Sequence, residues 1–257
     1  MERHSLPDRI LGKWEDVLPG LPDGLFDLIY QDPPYGMEYC SGIPGSPVWN
    51  KSGETRSRFD APMFGDKHGD VDWERLANEC YRVLKDDRFL FLHCNLDVVV
   101  HFVRAFQYAG FNIKGMVTWN KRFAIGGDLN STMKREAEPI IYMAKGSPRF
   151  NPVRVWRGKG KKSTLVERKR ISEVADWVFK MPKDEKCGFP TQKPIELCKQ
   201  VIRLTTDPGG LVLDPFGGSG SIAVAAKMLG RRFVTIEVDS KTFEILYTRL
   251  DNTPECK

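Results

Sequence analysis

Three groups of residues have types and spacings that can do chemistry. The first is Asp32-Pro33-Pro34-Tyr35, which follows the apolar run Leu25-Phe26-Asp27-Leu28-Ile29-Tyr30. Two consecutive prolines fix φ twice and remove two backbone donors, so neither a helix nor a strand ladder continues through them. A carboxylate before that corner and an aromatic ring after it make a rigid acceptor site with a stacking surface. The second group is Asp214-Pro215-Phe216-Gly217-Gly218-Ser219-Gly220, preceded by the apolar Leu211-Val212-Leu213. Gly218, Gly220 and Ala223 fit G-x-G-x-x-G/A at a strand-to-helix turn, where glycine allows a ligand close to the backbone. The third is Glu237, 17 residues past Gly220, at the end of the next apolar run. An acid there accepts hydrogen bonds from ribose hydroxyls.

Strand, turn, helix, strand and acid in register point to a nucleoside cofactor. A pyrophosphate is served by an open helix N-terminus, whereas a carboxylate such as Asp214 suits a cation. S-adenosylmethionine carries an ammonium, a sulfonium and ribose hydroxyls, and fits better than NAD. An NAD-dependent oxidoreductase stays open at this point, although it leaves Asp32 to Tyr35 unexplained.

The elements that must position these groups are legible in the apolar periodicity. Leu25 to Tyr30, Phe89 to Cys94, Ile113 to Trp119, Pro139 to Met143, Leu211 to Leu213 and Phe233 to Val238 read as strands. Trp73 to Leu84 behind an Asp72 cap, Asp97 to Ala109, Pro194 to Thr205, Ser221 to Leu229 and Ser240 to Leu250 read as helices. Strands alternating with helices predict an α/β fold whose sheet is mostly parallel and covered on both faces. Two stretches break the alternation. Gly36 to Gly69 predicts a mobile loop, either a functional lid or a disordered insertion. The other is Lys145 to Pro190.

The chain of 257 residues is long enough for one large domain, 1–257, or for one with a smaller insertion. It has no run of about 20 apolar residues to cross a bilayer and no signal peptide at its start, so no membrane partner is expected. Its six cysteines contain no C-x-x-C pair, which argues against a zinc site or any other metal centre and for reduced thiols in the cytoplasm. Net charge is +5, unevenly spread. Lys145 to Arg170 holds ten Lys or Arg and one acid, Glu167. That segment carries +9, so the remainder must carry −4 to give +5. A basic block in a slightly acidic chain suits phosphate contacts.

Taken together, the motifs resemble those of DNA amino-methyltransferases acting on adenine N6 or cytosine N4, in the β-type order. Asp32-Pro33-Pro34-Tyr35 matches the catalytic motif, Thr191-Gln192-Lys193-Pro194 a second, and Asp214 to Gly220 the cofactor loop. The resemblance runs from about Leu11 to Leu250 and implies the S-adenosylmethionine-dependent, Rossmann-like methyltransferase fold, with a mixed, mostly parallel sheet of seven strands. It implies that Asp214, Phe216, Gly218, Gly220 and Glu237 line the cofactor pocket, with Lys193 and Pro194 at its methionine end. It implies a target-recognition region over about 145–190, with Arg149, Arg154, Arg157, Lys159, Lys161 and Lys162 as DNA contacts. Under the same resemblance, Trp49, Arg56, Arg58 and Phe59 of the loop from Gly36 to Gly69 are candidate DNA contacts. Double-stranded DNA is the implied substrate, for a bacterial or virus-encoded enzyme of the cytoplasm. A homodimer and a cognate restriction enzyme are the other candidate partners. Where relatives carry an acid after glycine near the chain start, Gly12 is followed by Lys13, and Asp16 is the nearby substitute.

The chemistry this implies needs no covalent enzyme intermediate. The amino group of a base is a poor nucleophile because its lone pair is delocalised into the ring. Asp32 and the Pro33 carbonyl can each accept one amino hydrogen, Pro34 stiffens the corner, and Tyr35 can stack on a base turned out of the duplex. Adenine N6 is the expected acceptor, because cytosine-N4 relatives more often have serine in the first motif position. The alternatives are cytosine N4 and a non-catalytic DNA-binding protein, the latter favoured by Lys13. Tyr30 reads as a packing or rim residue and His93, in an apolar run, as structural.

Overall fold

The computed structural model describes residues 6–34, 71–94, 99–125, 135–157, 164–169, 177–180, 184–189 and 191–255. Tyr35, the loop over residues 36–69, and Lys159, Lys161 and Lys162 lie outside the described residues. In chain order the elements are β1 (Arg9–Leu11), α1 (Trp14–Val17), β2 (Phe26–Gln31), α2 (Trp73–Val83), β3 (Leu84–His93), α3 (Val99–Tyr108), β4 (Asn112–Ile125) and β5 (Arg135–Lys145). They continue with β6 (Val153–Arg157), β7 (Thr164–Lys169), α4 (Ile195–Thr205), β8 (Leu211–Asp214), α5 (Ser221–Met228), β9 (Arg232–Glu237) and α6 (Ser240–Asp251).

Seven strands form one sheet in the order β1-β9-β8-β2-β3-β5-β4. The pairs from β1 to β3 are parallel, whereas β5 runs antiparallel to both β3 and β4. The α/β sheet, mostly parallel with helices on both faces, is as the sequence predicts. β2 explains the arrangement. Its residues are buried on both faces, as expected of a central parallel strand. Ile29, with Leu213, Val234 and Ile236, packs beneath Leu76 of α2 and Phe102 and Phe106 of α3. Leu28 and Tyr30, with Val212, pack on the other face against Leu197 and Val201 of α4 and Ala225 of α5. The start of β2 is tied across the sheet by Asp27, which accepts from Lys85 Nζ at 2.8 Å and from the Leu211 backbone N–H at 2.9 Å.

Helix starts follow the expected chemistry. Asp72 caps α2 by accepting from the Arg75 N–H, and Asp239 caps α6 by accepting from the Thr242 N–H. Pro194 is the N-cap of α4, one position earlier than the first helical turn. The basic stretch holds an antiparallel pair, β6 with β7, that periodicity does not reveal. β4 and β5 also extend beyond their apolar cores by pairing with each other. No described helix is long and apolar enough to cross a membrane.

Chain order and strand order diverge on either side of β2. From β2 the chain moves to β3 on one side, and later to β8 and β9 on the other. Ligands of open α/β sheets bind at the carboxyl ends of the strands at such a switch point. Asp32 follows β2 and Asp214 ends β8, so the two expected motifs meet there.

Candidate active site

Asp32 leaves the end of β2 half-buried, with Pro33 buried behind it and Pro34 half-buried. Its Oδ2 lies 2.5 Å from Lys193 Nζ, on the approach to α4. Lys193 is therefore engaged with Asp32 rather than pointing only toward a cofactor. The same ammonium lies 3.2 Å from Glu138 Oε1 of β5. Burial alone would weaken the Lys193 ammonium, but Asp32 and Glu138 more than compensate and raise its pKa. The structure thus joins residues 161 apart in sequence into one ion pair.

Behind that pair is a polar chain that sequence reasoning missed. Glu138 Oε1 is 2.7 Å from His93 Nδ1, and Glu138 Oε2 is 2.7 Å from Lys121 Nζ. His93 Nε2 is 2.9 Å from the Tyr30 hydroxyl. A carboxylate only accepts, so His93 donates through Nδ1 and, when neutral, accepts at Nε2 from Tyr30. Burial pushes the Glu138 carboxyl up, but Lys193, His93 and Lys121 outweigh it and hold it well below the usual carboxylate range. Burial, with nearby Cys198 and Asp32, pushes the Tyr30 hydroxyl well above its ordinary value. One donor atom from each of Asp32, His93 and Glu138 lies within 4.8 Å of the others, a spacing suited to a cation. The Lys193 ammonium contacts two of the three. Tyr30 and His93 are indeed packed into the sheet, as expected, but through hydrogen bonds that lead to the site. The available signal was an acid and a histidine inside otherwise apolar strands, which are rarely buried without partners.

The glycine turn forms the other wall. Gly218 and Gly220 sit at φ of 50° and 77°, in the left-handed region where a side chain is strained. Gly217 is forced by contact instead: a Cβ there would stand 2.6 Å from Leu246 Cδ1 of α6. Glu237, half-buried at the end of β9, accepts from the Gly218 N–H at 2.7 Å and the Asp239 N–H at 2.8 Å. It braces the turn, and each carboxylate oxygen has a second lone pair to offer a ligand. Burial raises its pKa against those two N–H bonds. Phe216 is partly buried against the core beneath α2 and α3.

Asp214 is the anomaly of this wall. It is 2 % exposed, and its Oδ1 accepts from the Phe216 N–H at 3.2 Å. Its Oδ2 is buried with no hydrogen bond among the described residues. Burial pushes its carboxyl well above the usual range, and the charges of Asp32 and Glu237 add to the effect. Thr235, its cross-strand partner, and Gln31, which precedes Asp32, also carry unbonded buried polar atoms. Buried polar groups normally have partners, and here, among the described residues, the unbonded side-chain atoms gather on three neighbouring strands.

The remaining expected residues divide. Lys13 and Asp16 are exposed at α1, while the Gly12 N–H donates to the Glu237 carbonyl at 2.9 Å, placing that stretch beside the end of β9. Arg149 is exposed between β5 and β6, and Arg154 and Arg157 lie on β6, outside the residues whose side chains are described.

Known proteins carry the same plan. The N6/N4 DNA methylase family matches residues 26–248. The type II methyltransferase M2.DpnII of Streptococcus pneumoniae is 30% identical over 229 residues, covering 88% of this chain and 82% of that protein. The DNA adenine methyltransferase YhdJ of Escherichia coli (strain K12) is 28% identical over 254 residues, covering 91% and 79%. Among solved structures, the M1.HpyAVI complex with S-adenosylmethionine aligns with a TM-score of 0.63 at 19% identity, over 95% of this chain and 99% of that one. The cytosine-N4-specific PvuII DNA methyltransferase aligns at 0.66 and 17%, over 96% and 87%. These two share the fold, a methyltransferase sheet of this kind. The chain belongs to the N6/N4 DNA methylase family, and it is a DNA methyltransferase.

Proposed function

We propose that this enzyme transfers a methyl group from S-adenosylmethionine to the exocyclic N6 of adenine in double-stranded DNA, on a base turned out of the helix. The observation that carries the reading is Asp32, fixed by two prolines and by Lys193 at 2.5 Å at the switch point of the sheet. The residues of the glycine turn fit the cofactor. Asp214 presents a buried carboxylate oxygen without a hydrogen bond among the described residues, which a cationic ligand satisfies, and Glu237 offers acceptors to hydroxyls. When bound, the cofactor supplies an electrophilic methyl carbon.

The protein's part is to hold the amine. Asp32 and the Pro33 carbonyl accept its two hydrogens, which favours the pyramidal nitrogen that develops positive charge in the transition state. The prolines remove motion from that geometry, which supplies the orientation component of the rate. Tyr35, next in sequence, stacks on the flipped base. We assign residues about 145–190 to target recognition within a single domain, with Arg149 to Lys162 holding phosphates. Adenine is preferred because the motif begins with aspartate.

Mass spectrometry of nucleosides from DNA of cells expressing the protein tests the acceptor. N6-methyladenine is expected, and N4-methylcytosine in its place would overturn the adenine assignment. Asp32→Ala should abolish transfer and leave cofactor affinity nearly unchanged by calorimetry. An active Asp32→Ala enzyme would overturn the mechanism.

A further inference from the structure

An ammonium fully committed to Asp32 would work against the proposed reaction. It would cancel the negative charge that the developing cation on the target amine needs. Glu138 offers the counterweight. Its Oε1 lies 3.2 Å from Lys193 Nζ, against 2.5 Å from that ammonium to Asp32. Glu138 is itself held from two more strands, by His93 of β3 at 2.7 Å and Lys121 of β4 at 2.7 Å. The His93 ring is fully buried and anchored in turn by Tyr30 at 2.9 Å. Four strands of the sheet thus contribute to where the Lys193 ammonium sits.

We propose that Glu138 is a positioning residue for methyl transfer, sharing the Lys193 ammonium so that Asp32 is fixed in place without being fully neutralised toward the target amine. The inference rests on the methyl-transfer reading and adds to it a residue that acts through Lys193. Among the described residues, the charged and titratable groups around Glu138 include Lys193, Lys121 and His93, with Cys94 and Tyr30 close enough to feel its charge and Asp32 beyond Lys193. Without the Glu138 charge, the Lys193 ammonium is drawn more fully onto Asp32.

Glu138→Gln keeps the shape and removes the charge. Its single-turnover rate of DNA methylation should fall roughly tenfold to a hundredfold, as a misplaced catalytic group does. Its affinity for S-adenosylmethionine, by calorimetry, should stay within about twofold, because the change is confined to the reacting step. Glu138→Asp, which keeps the charge on a shorter arm, should recover part of the rate. In a Lys193→Met background, adding Glu138→Gln should cost nothing further, since the two act as a unit. A wild-type rate in Glu138→Gln, an equal loss of cofactor affinity, or full additivity with Lys193→Met each overturns the proposal. Should the glutamine variant not fold, Glu138→Asp carries the test: a rate loss with cofactor affinity kept supports it, and an unchanged rate overturns it. A wild-type protein that methylates no base overturns the functional reading together with this inference. An active wild type with an equally active Glu138→Gln overturns this inference alone.

Discussion

The burial of Asp214 works against folding, and under the proposed function the same carboxyl serves the cofactor. Its carboxyl is buried, half-bonded and near two other acids, so the folded state disfavours its charge. With a folded pKa raised above the unfolded value of about 4, the group opposes folding only above that pH, and more strongly as pH rises toward the folded value. Asp214→Asn should therefore stabilise the ligand-free protein at pH 8, where burial and the neighbouring acids disfavour the charged carboxylate. Urea denaturation should show the gain at pH 8 and none near pH 4, while S-adenosylmethionine binds roughly tenfold or more weakly for want of a charged acceptor. Equal stability of the two proteins at pH 8 would contradict the account. Asp214 and Asp32 were both legible in the sequence, because each ends an apolar run at a rigid or glycine-rich corner. Their polar surroundings were not. Lys193 meets Asp32 across 161 residues, and Glu138 meets His93 across 45. Only packing of the strands brings such pairs together, and no local spacing encodes it.

At the scale of elements, the turn between β8 and α5 leaves no room for a side chain at Gly217. A methyl group on Gly217 would meet both Leu246 Cδ1 at 2.6 Å and Thr235 Oγ1 at 2.7 Å, so those buried side chains would have to move, with the Ile236 carbonyl also close at 3.2 Å. Gly217→Ala should cost about 1–3 kcal/mol by overpacking, seen as a lower unfolding midpoint. Gly20→Ala, where a Cβ meets nothing within 4 Å, is the matched control and should change stability little. The strand-turn-helix unit was readable because its apolar run, glycines and small-residue helix agree with one another. β6 and β7 were hidden for the opposite reason. Their residues, Val153-Arg154-Val155-Trp156-Arg157 and Thr164-Leu165-Val166-Glu167-Arg168-Lys169, are dense in charge and pair with each other rather than with the main sheet. That composition reads as a loop. The short β1 escaped notice because three residues carry no period, and its pairing with β9 supplies what its own sequence does not.

For the whole molecule, the uneven charge makes a prediction about how it meets DNA. If the basic segment neutralises phosphates, log affinity should fall linearly with log salt. Neutralising Lys159, Lys161 and Lys162 together should then reduce the slope by about 2 to 3, since each phosphate that a lysine neutralises adds about 0.9 to it. Fluorescence anisotropy over a salt series measures it, and an unchanged slope would place DNA elsewhere. The sheet order has a consequence for the making of the protein. β2 waits for a neighbour, since Leu28 and Ile29 pair with Val212 and Leu213 near the other end of the chain. At about 5–20 residues per second, the ribosome leaves that apolar edge uncovered for on the order of ten seconds or more. Throughout that interval Asp32 exists without Lys193, and the cofactor turn has not been made. A stalled or truncated product is therefore no partial enzyme. It is an inert chain with a sticky strand, fit for chaperones or proteolysis, and methyl transfer to DNA waits until synthesis has passed β9.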